Sequence, residues 1–93
     1  VSENATGSAT ILDPTGLHAR PAVKLARLAK TFDCSVEVAA SPEGAWINAK
    51  STNSLMKMKA RNGAAIFIRA RGAGADSAVC ELVALISSNF GDD

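Results

Sequence analysis

The residues best suited to chemistry stand together at Gly16-Leu17-His18-Ala19-Arg20-Pro21. His18 is the one histidine of the chain, and it falls directly before a stretch patterned as a helix. Imidazole is substantially neutral near pH 7, so a ring nitrogen can attack phosphorus. A helix start supplies backbone N–H groups without intrahelical acceptors and a partial positive charge. Both favour an anion, phosphate above all. The Ala19 N–H is one such donor, and Arg20 can add charge-assisted hydrogen bonds to phosphate oxygens. Pro21 falls in the first turn, where its missing N–H costs least. The segment has the parts to accept a phosphoryl group and hold it loosely enough to pass on. A single histidine before a helix also serves as a plain polar cap, and His18 alone does not separate the two readings.

The elements that must position this segment follow from periodicity. Val1 to Gly7 is small and polar, and is expected to be flexible. Ser8 to Leu12 reads as a short strand with Ala9 and Ile11 on one face. Asp13-Pro14-Thr15-Gly16 has turn chemistry. A helix is expected from about Ala19 to Thr31, with Ala22, Leu25, Ala26, Ala29 and Phe32 on its apolar side. Lys24, Arg27 and Lys30 make the opposite, solvated stripe. Cys34 to Ala40 alternates as a half-buried strand, with Val36 and Val38 inward. Ser41-Pro42-Glu43-Gly44 turns the chain into a return strand, Ala45 to Ala49. There Ala45, Ile47 and Ala49 face one way, Trp46 and Asn48 the other. Ser51 has N-cap chemistry for a short helix through Leu55 and Met58. After the break at Asn62-Gly63, Ala65 to Arg71 is the clearest strand: Ile66, Ile68 and Ala70 alternate with Phe67, Arg69 and Arg71. Gly72-Ala73-Gly74 leads into a last helix, about Ala75 to Asn89, that aligns Val79, Leu82, Val83, Ile86 and Phe90. The order β-α-β-β-α-β-α fits an α+β domain of two layers with the sheet covered on one side. Trp46, Phe67, Arg69 and Arg71 are then expected on the open face.

Composition bounds the alternatives. The 93 residues suit a single domain, 1–93, with one modest core. At 47% hydrophobic and 4% aromatic, that core must be aliphatic and alanine-rich. A formal charge of +1 does not demand a polyanionic partner. Cys34 and Cys80 lack companions at metal-ligand spacing and are expected to be two buried, reduced thiols, so no metal and no cofactor is expected. There is no signal-peptide pattern and no apolar run of membrane-spanning length, and a cytoplasmic monomer without membrane insertion is the expectation. No Ser-His-Asp set and no Walker-type loop is present; Gly72 and Gly74 make a turn rather than a phosphate loop.

Asp13-Pro14-Thr15-Gly16-Leu17-His18-Ala19-Arg20-Pro21-Ala22 resembles the active-site signature of the histidine-containing phosphocarrier (HPr) family of the bacterial phosphoenolpyruvate-dependent sugar phosphotransferase system. Ala49-Lys50-Ser51 is similar to that family's regulatory-serine motif, and the likeness runs over about residues 8 to 90. The resemblance implies an open-faced β-sandwich, a four-stranded antiparallel sheet with three helices on one face. It implies phosphorylation of His18 on Nδ1, with Arg20 and the Ala19 N–H steadying the phosphate. The implied donor is phosphorylated enzyme I and the implied acceptor an enzyme IIA component, so the chain would be a carrier rather than a stand-alone catalyst. Ser51 matches a serine that an ATP-dependent kinase phosphorylates in some members. Where regulated members carry apolar docking residues after it, this chain has Thr52-Asn53-Ser54 before Leu55-Met56. Ser51 thus has two readings, a helix N-cap and a regulatory site. Thr52, Asn53 and Met56 are candidate partner-docking positions.

Two other readings stand beside the sugar-system carrier. One is a regulatory, nitrogen-related carrier, or a carrier domain of a fused phosphotransferase, which the Val1 start and the polar stretch Ser2 to Ser8 would suit. The more distant one is a nucleic-acid-binding α/β domain. It would use Lys50, Lys57, Lys59, Arg61, Arg69 and Arg71 with Trp46 and Phe67 as stacking surfaces. The small net charge and the His18 motif count against it, and no nucleic-acid partner is expected.

Overall fold

Alternation of apolar and polar residues builds the sheet. In a computed structural model, which describes residues 4–12, 14, 16–17, 19–41, 43–58 and 60–91, four strands lie antiparallel: β1 (Asn4–Thr10), β2 (Ser35–Ala39), β3 (Ile47–Asn48) and β4 (Ala65–Arg71). Their order is β1-β4-β2-β3. Three helices, α1 (Ala19–Lys30), α2 (Thr52–Lys57) and α3 (Ala75–Ser87), complete the layer opposite, and a 3-10 turn, Asn89–Gly91, follows α3. This is the α+β open-faced β-sandwich that the family resemblance implied, with the sheet covered on one side as the pattern predicted. β4 sits at the centre because it alternates most cleanly. Ile66, Ile68 and Ala70 point into the core, while Arg69 and Arg71 are exposed on the other face.

The core is aliphatic. Val36 and Val38 of β2 and Ile66 and Ile68 of β4 meet Leu25 of α1, Leu55 of α2 and Leu82 and Ile86 of α3. Alanines at Ala22, Ala26, Ala29, Ala75 and Ala78 let the helices sit close to the sheet. Gly7 does the same from the strand side. A Cβ there would stand 2.7 Å from Val79 Cγ1 and 3.2 Å from Val83 Cγ2, so α3 seats directly on β1 because that residue has no side chain.

Several boundaries differ from the sequence expectation. β1 opens at Asn4 rather than Ser8, so Asn4 to Gly7 is paired strand rather than flexible lead-in; residues 1–3 lie outside the described residues. The stretch has too few apolar residues to show alternation, yet it pairs along β4 as far as Arg71. The return strand shrinks to Ile47–Asn48, with Ala45 exposed instead of inward. As an edge strand it has one neighbour to hold it, although the Ala49 N–H still donates to Val36 O at 2.9 Å. α3 stops at Ser87, and Phe90 reaches the core through left-handed backbone at Asn89 and Phe90 (φ 55° and 59°) rather than as the next rung of a helical stripe. Lys24 is half-buried and donates from Nζ to Phe90 O at 2.9 Å, so it ties α1 to the turn after α3 instead of joining the solvated stripe of Arg27 and Lys30. Cys34 is buried as expected, but Cys80 is exposed on α3; both are free thiols.

Trp46, Phe67, Arg69 and Arg71 do not enter the core, and the two aromatics are half-buried. Arg69 lies over the Trp46 ring, 4.2 Å from its centroid, and donates from Nε to Glu37 Oε1 at 2.8 Å. The open face is therefore partly neutralised within itself, which weakens the case for a nucleic-acid platform.

Candidate functional site

The site is built from the loop that joins β1 to α1 and from the segment that holds it. The Ile11 N–H donates to Ala64 O at 2.9 Å, and the Gly63 N–H donates back to Ile11 O at 2.8 Å. Asn62 Nδ2 donates to Leu12 O at 3.0 Å. Further along, the Leu17 N–H donates to Ala60 O at 2.8 Å. The stretch 60–64 thus braces the loop at both ends. Gly16 is required at the exit. Its φ is +85°, and a Cβ there would collide with the Ala60 carbonyl oxygen. Leu17 is 3% exposed and plugs the loop into the core. The chain then enters α1 at Ala19.

His18 itself lies outside the described residues, as do Asp13 and Thr15. Around it, Ala19 and Arg20 are exposed in the first turn of α1 and Pro21 is buried. A first helical turn carries N–H groups without intrahelical acceptors and a partial positive charge, and here that turn, Ala19 and Arg20, is exposed.

The second motif caps a helix. Ser51 Oγ accepts the Ser54 N–H at 3.3 Å and starts α2, with extended backbone at the cap (φ −105°, ψ 112°). Lys50 Nζ donates to Phe32 O at 2.8 Å, just past the end of α1, and α2 packs against α1. On α2, Leu55 is buried, Thr52 is half-buried, and Asn53 and Met56 are exposed. Among the described residues, Met56 and Leu12 are the large hydrophobic residues left outside, at 40% and 48% exposure. Periodicity does not single out Leu12, which lies in the loop just past β1. Ala60 and Asn62 also lack a chemical signature, since their bracing role depends on where the chain folds back. Among the described residues no group of three or more His, Cys, Asp or Glu could hold a metal ion, and no helix is long and apolar enough to cross a membrane.

Comparison with known proteins identifies the family. Residues 5–88 match the family profile described as "PTS HPr component phosphorylation site". The chain is 35% identical over 81 residues to the phosphocarrier protein HPr of Pseudomonas aeruginosa, covering 87% of this chain and 89% of that protein. It is 34% identical over 83 residues to the phosphocarrier protein NPr of Escherichia coli K12, covering 89% and 91%. The solved structure of HPr-C-His from Thermoanaerobacter tengcongensis superposes with a TM-score of 0.86 at 31% identity, covering 96% of this chain and 98% of that one. Sequence, fold and profile converge along nearly the whole length: the chain belongs to the HPr family of phosphocarrier proteins.

Proposed function

We propose that the protein accepts a phosphoryl group on His18 from phosphorylated enzyme I and passes it to an enzyme IIA component in sugar uptake. The observation that carries this reading is the family's phosphorylation-site profile falling on a chain whose lone histidine directly precedes α1. The imidazole Nδ1 attacks phosphorus as the P–N bond to the donor breaks, and a P–N bond to His18 forms. The Ala19 N–H and Arg20 hold the new dianion. Because these donors are few and solvent-facing, the phosphohistidine stays labile, and the acceptor's own nucleophile can take the group in the reverse geometry. The partner completes the active site, so the chain alone turns over nothing. The reaction belongs in the cytoplasm. Met56, Thr52 and Asn53 on α2 form the partner-docking surface, with the exposed Met56 as its apolar contact. Ser51 acts as the cap of α2; a serine kinase acting on it is the minor reading, because the hydroxyl is engaged in the cap.

A regulatory role in a nitrogen-related relay is the second reading. It is favoured by the 34% identity to NPr over 83 residues, almost the same match as to HPr. Intact-mass spectrometry after incubation with enzyme I, Mg²⁺ and phosphoenolpyruvate tests the carrier reading. One phosphate is expected, lost on acid treatment and absent in His18→Ala. An alanine variant that still takes up acid-labile phosphate would overturn the assignment. Parallel incubation with the enzyme I of the sugar system and that of the nitrogen system, compared by rate, separates the two roles.

A further inference from the structure

Two arginines stand two residues apart on the open face of β4, and the register gives them different neighbours. Thr6, Arg69, Glu37 and Asn48 form one row across the four strands; Asn4, Arg71 and Ser35 form the next. Residues directly opposite in an antiparallel pair have Cβ atoms about 4.5–5.5 Å apart. Arg69 therefore has a carboxylate beside it and engages it, donating from Nε to Glu37 Oε1 at 2.8 Å while its guanidinium lies over Trp46. Arg71 has an amide on one side, a hydroxyl on the other and no carboxylate opposite it. It is exposed, and among the described residues it makes no hydrogen bond or ion pair.

These two rows line an open basin of about 690 Å³. Small-molecule pockets usually hold about 300–1,000 Å³. The charged side chains of the basin are Lys50, Arg69 and Arg71 against Asp33 and Glu37. Glu37 is matched by Arg69, which leaves Arg71 and Lys50 against Asp33, a local excess of positive charge. Lys50 Nζ donates to Phe32 O at 2.8 Å and keeps two further N–H donors. Asn48 Oδ1 accepts the Lys50 N–H at 2.9 Å, so the donor end of that amide is the end left over. Around Arg71 the unused groups are thus mainly donors: the amides of Asn4 and Asn48 and the hydroxyl of Ser35.

We propose that this basin binds a small molecule through an oxyanion group, a phosphate or a carboxylate. Arg71 is the anchor, because the guanidinium fork matches two oxygens of either group. Asn4 and Ser35, its cross-strand neighbours, and Asn48 supply the flanking hydrogen bonds, and Lys50 supplies a second positive charge at the far wall. Asp33 and Glu37 in the same lining repel a chain of phosphates, so a single anionic group on a small molecule is the class that fits. The basin is separate from the phosphoryl site. Arg71 pairs with Asn4 at the start of β1, and the loop to α1 leaves from the other end of that strand, roughly 20 Å away at about 3.4 Å per residue. A ligand at Arg71 therefore leaves that loop free, and the protein can hold ligand and phosphoryl group together.

NMR titration of the 93-residue chain at fixed ionic strength tests this, with inorganic phosphate, glycerol phosphate and succinate as probes and chloride as the control. Saturable shifts are expected at Asn4, Ser35, Asn48 and the Arg71 side-chain N–H. Their strength with glycerol phosphate against succinate tells a phosphate ligand from a carboxylate one. Arg71→Gln should weaken binding there by at least about tenfold, the loss of a charged hydrogen-bond partner, and leave any phosphate shifts at Ala19 and Arg20 unchanged. Ser35→Glu sets a carboxylate opposite Arg71, as Glu37 stands opposite Arg69, and should abolish binding by pairing the arginine within the sheet. Glu37→Gln removes a negative charge from the lining and should strengthen it. Arg71 and Ser35 are both exposed, and a spectrum that otherwise overlays that of the parent shows that each variant is folded. No saturable shift around Arg71 with any of the three probes overturns the proposal. So do shifts that chloride reproduces, and binding that survives Arg71→Gln.

Discussion

At the residue scale, the loop before α1 depends on one backbone conformation. Gly16 holds φ +85° with its α-carbon against the Ala60 carbonyl, and the next residue donates to that same carbonyl. Gly16→Ala meets both a conformational and a steric penalty. It should lower stability by more than about 1 kcal/mol in urea unfolding and slow phosphoryl acceptance, because Leu17 and position 18 shift with the loop. Unchanged stability would mean that the loop relaxes without its brace. Arg20 carries a different expectation. It neither forms nor breaks a bond in the transfer, and the helix-end N–H groups remain without it. Arg20→Ala should therefore slow transfer from enzyme I, by up to about a hundredfold if the lost hydrogen bond contributes in the usual charged range, without abolishing it. A stopped-flow rate equal to that of the parent protein would remove the arginine from the site.

At the element scale, α2 is only six residues, too short to hold itself by propensity. It rests on burial of Leu55 and on the Ser51 cap. Ser51→Ala should cost about 1 kcal/mol by chemical denaturation, while Ser51→Asp, which can also cap, should cost less. Equal losses in both would show that the hydroxyl has some task other than capping. This cap was legible in the sequence because N-cap chemistry is local: one hydroxyl and the N–H three residues on. β4 and α1 were legible for a related reason, since clean period-two and helical spacing report which side faces a core. β1 was only half legible. Asn4 to Gly7 is held by β4 on one side and α3 above, and neither leaves a mark in a run of small polar residues. Lys24 was misplaced for the same reason, because its acceptor is a carbonyl 66 residues away. The motif at His18 stood out through residue type, whereas the bracing by Ala60, Asn62 and Ala64 is tertiary and has no sequence cue.

At the scale of the whole molecule, the end of the chain closes the helix layer. Asn89 and Phe90 both adopt left-handed backbone, a conformation asparagine tolerates and phenylalanine resists. The fold keeps Phe90 there because its ring is 1% exposed among core residues and its carbonyl takes the Lys24 ammonium of α1. With 4% aromatics, the protein has few side chains of that volume to spare. Phe90→Ala should remove about 3–5 kcal/mol, a large share of the 5–15 kcal/mol typical of a domain, and lower Tm by at least about 12 °C in a circular-dichroism melt. The 60–64 brace is made of hydrogen bonds to Ile11, Leu12 and Leu17, none of them to Phe90. At a temperature where both proteins are folded, the variant should accept phosphate at the parent rate. A variant that melts within a few degrees of the parent would place the chain end outside the core. A folded variant that accepts phosphate slowly would instead show that the α1–Phe90 tie reaches the site, with α1 itself as the lever.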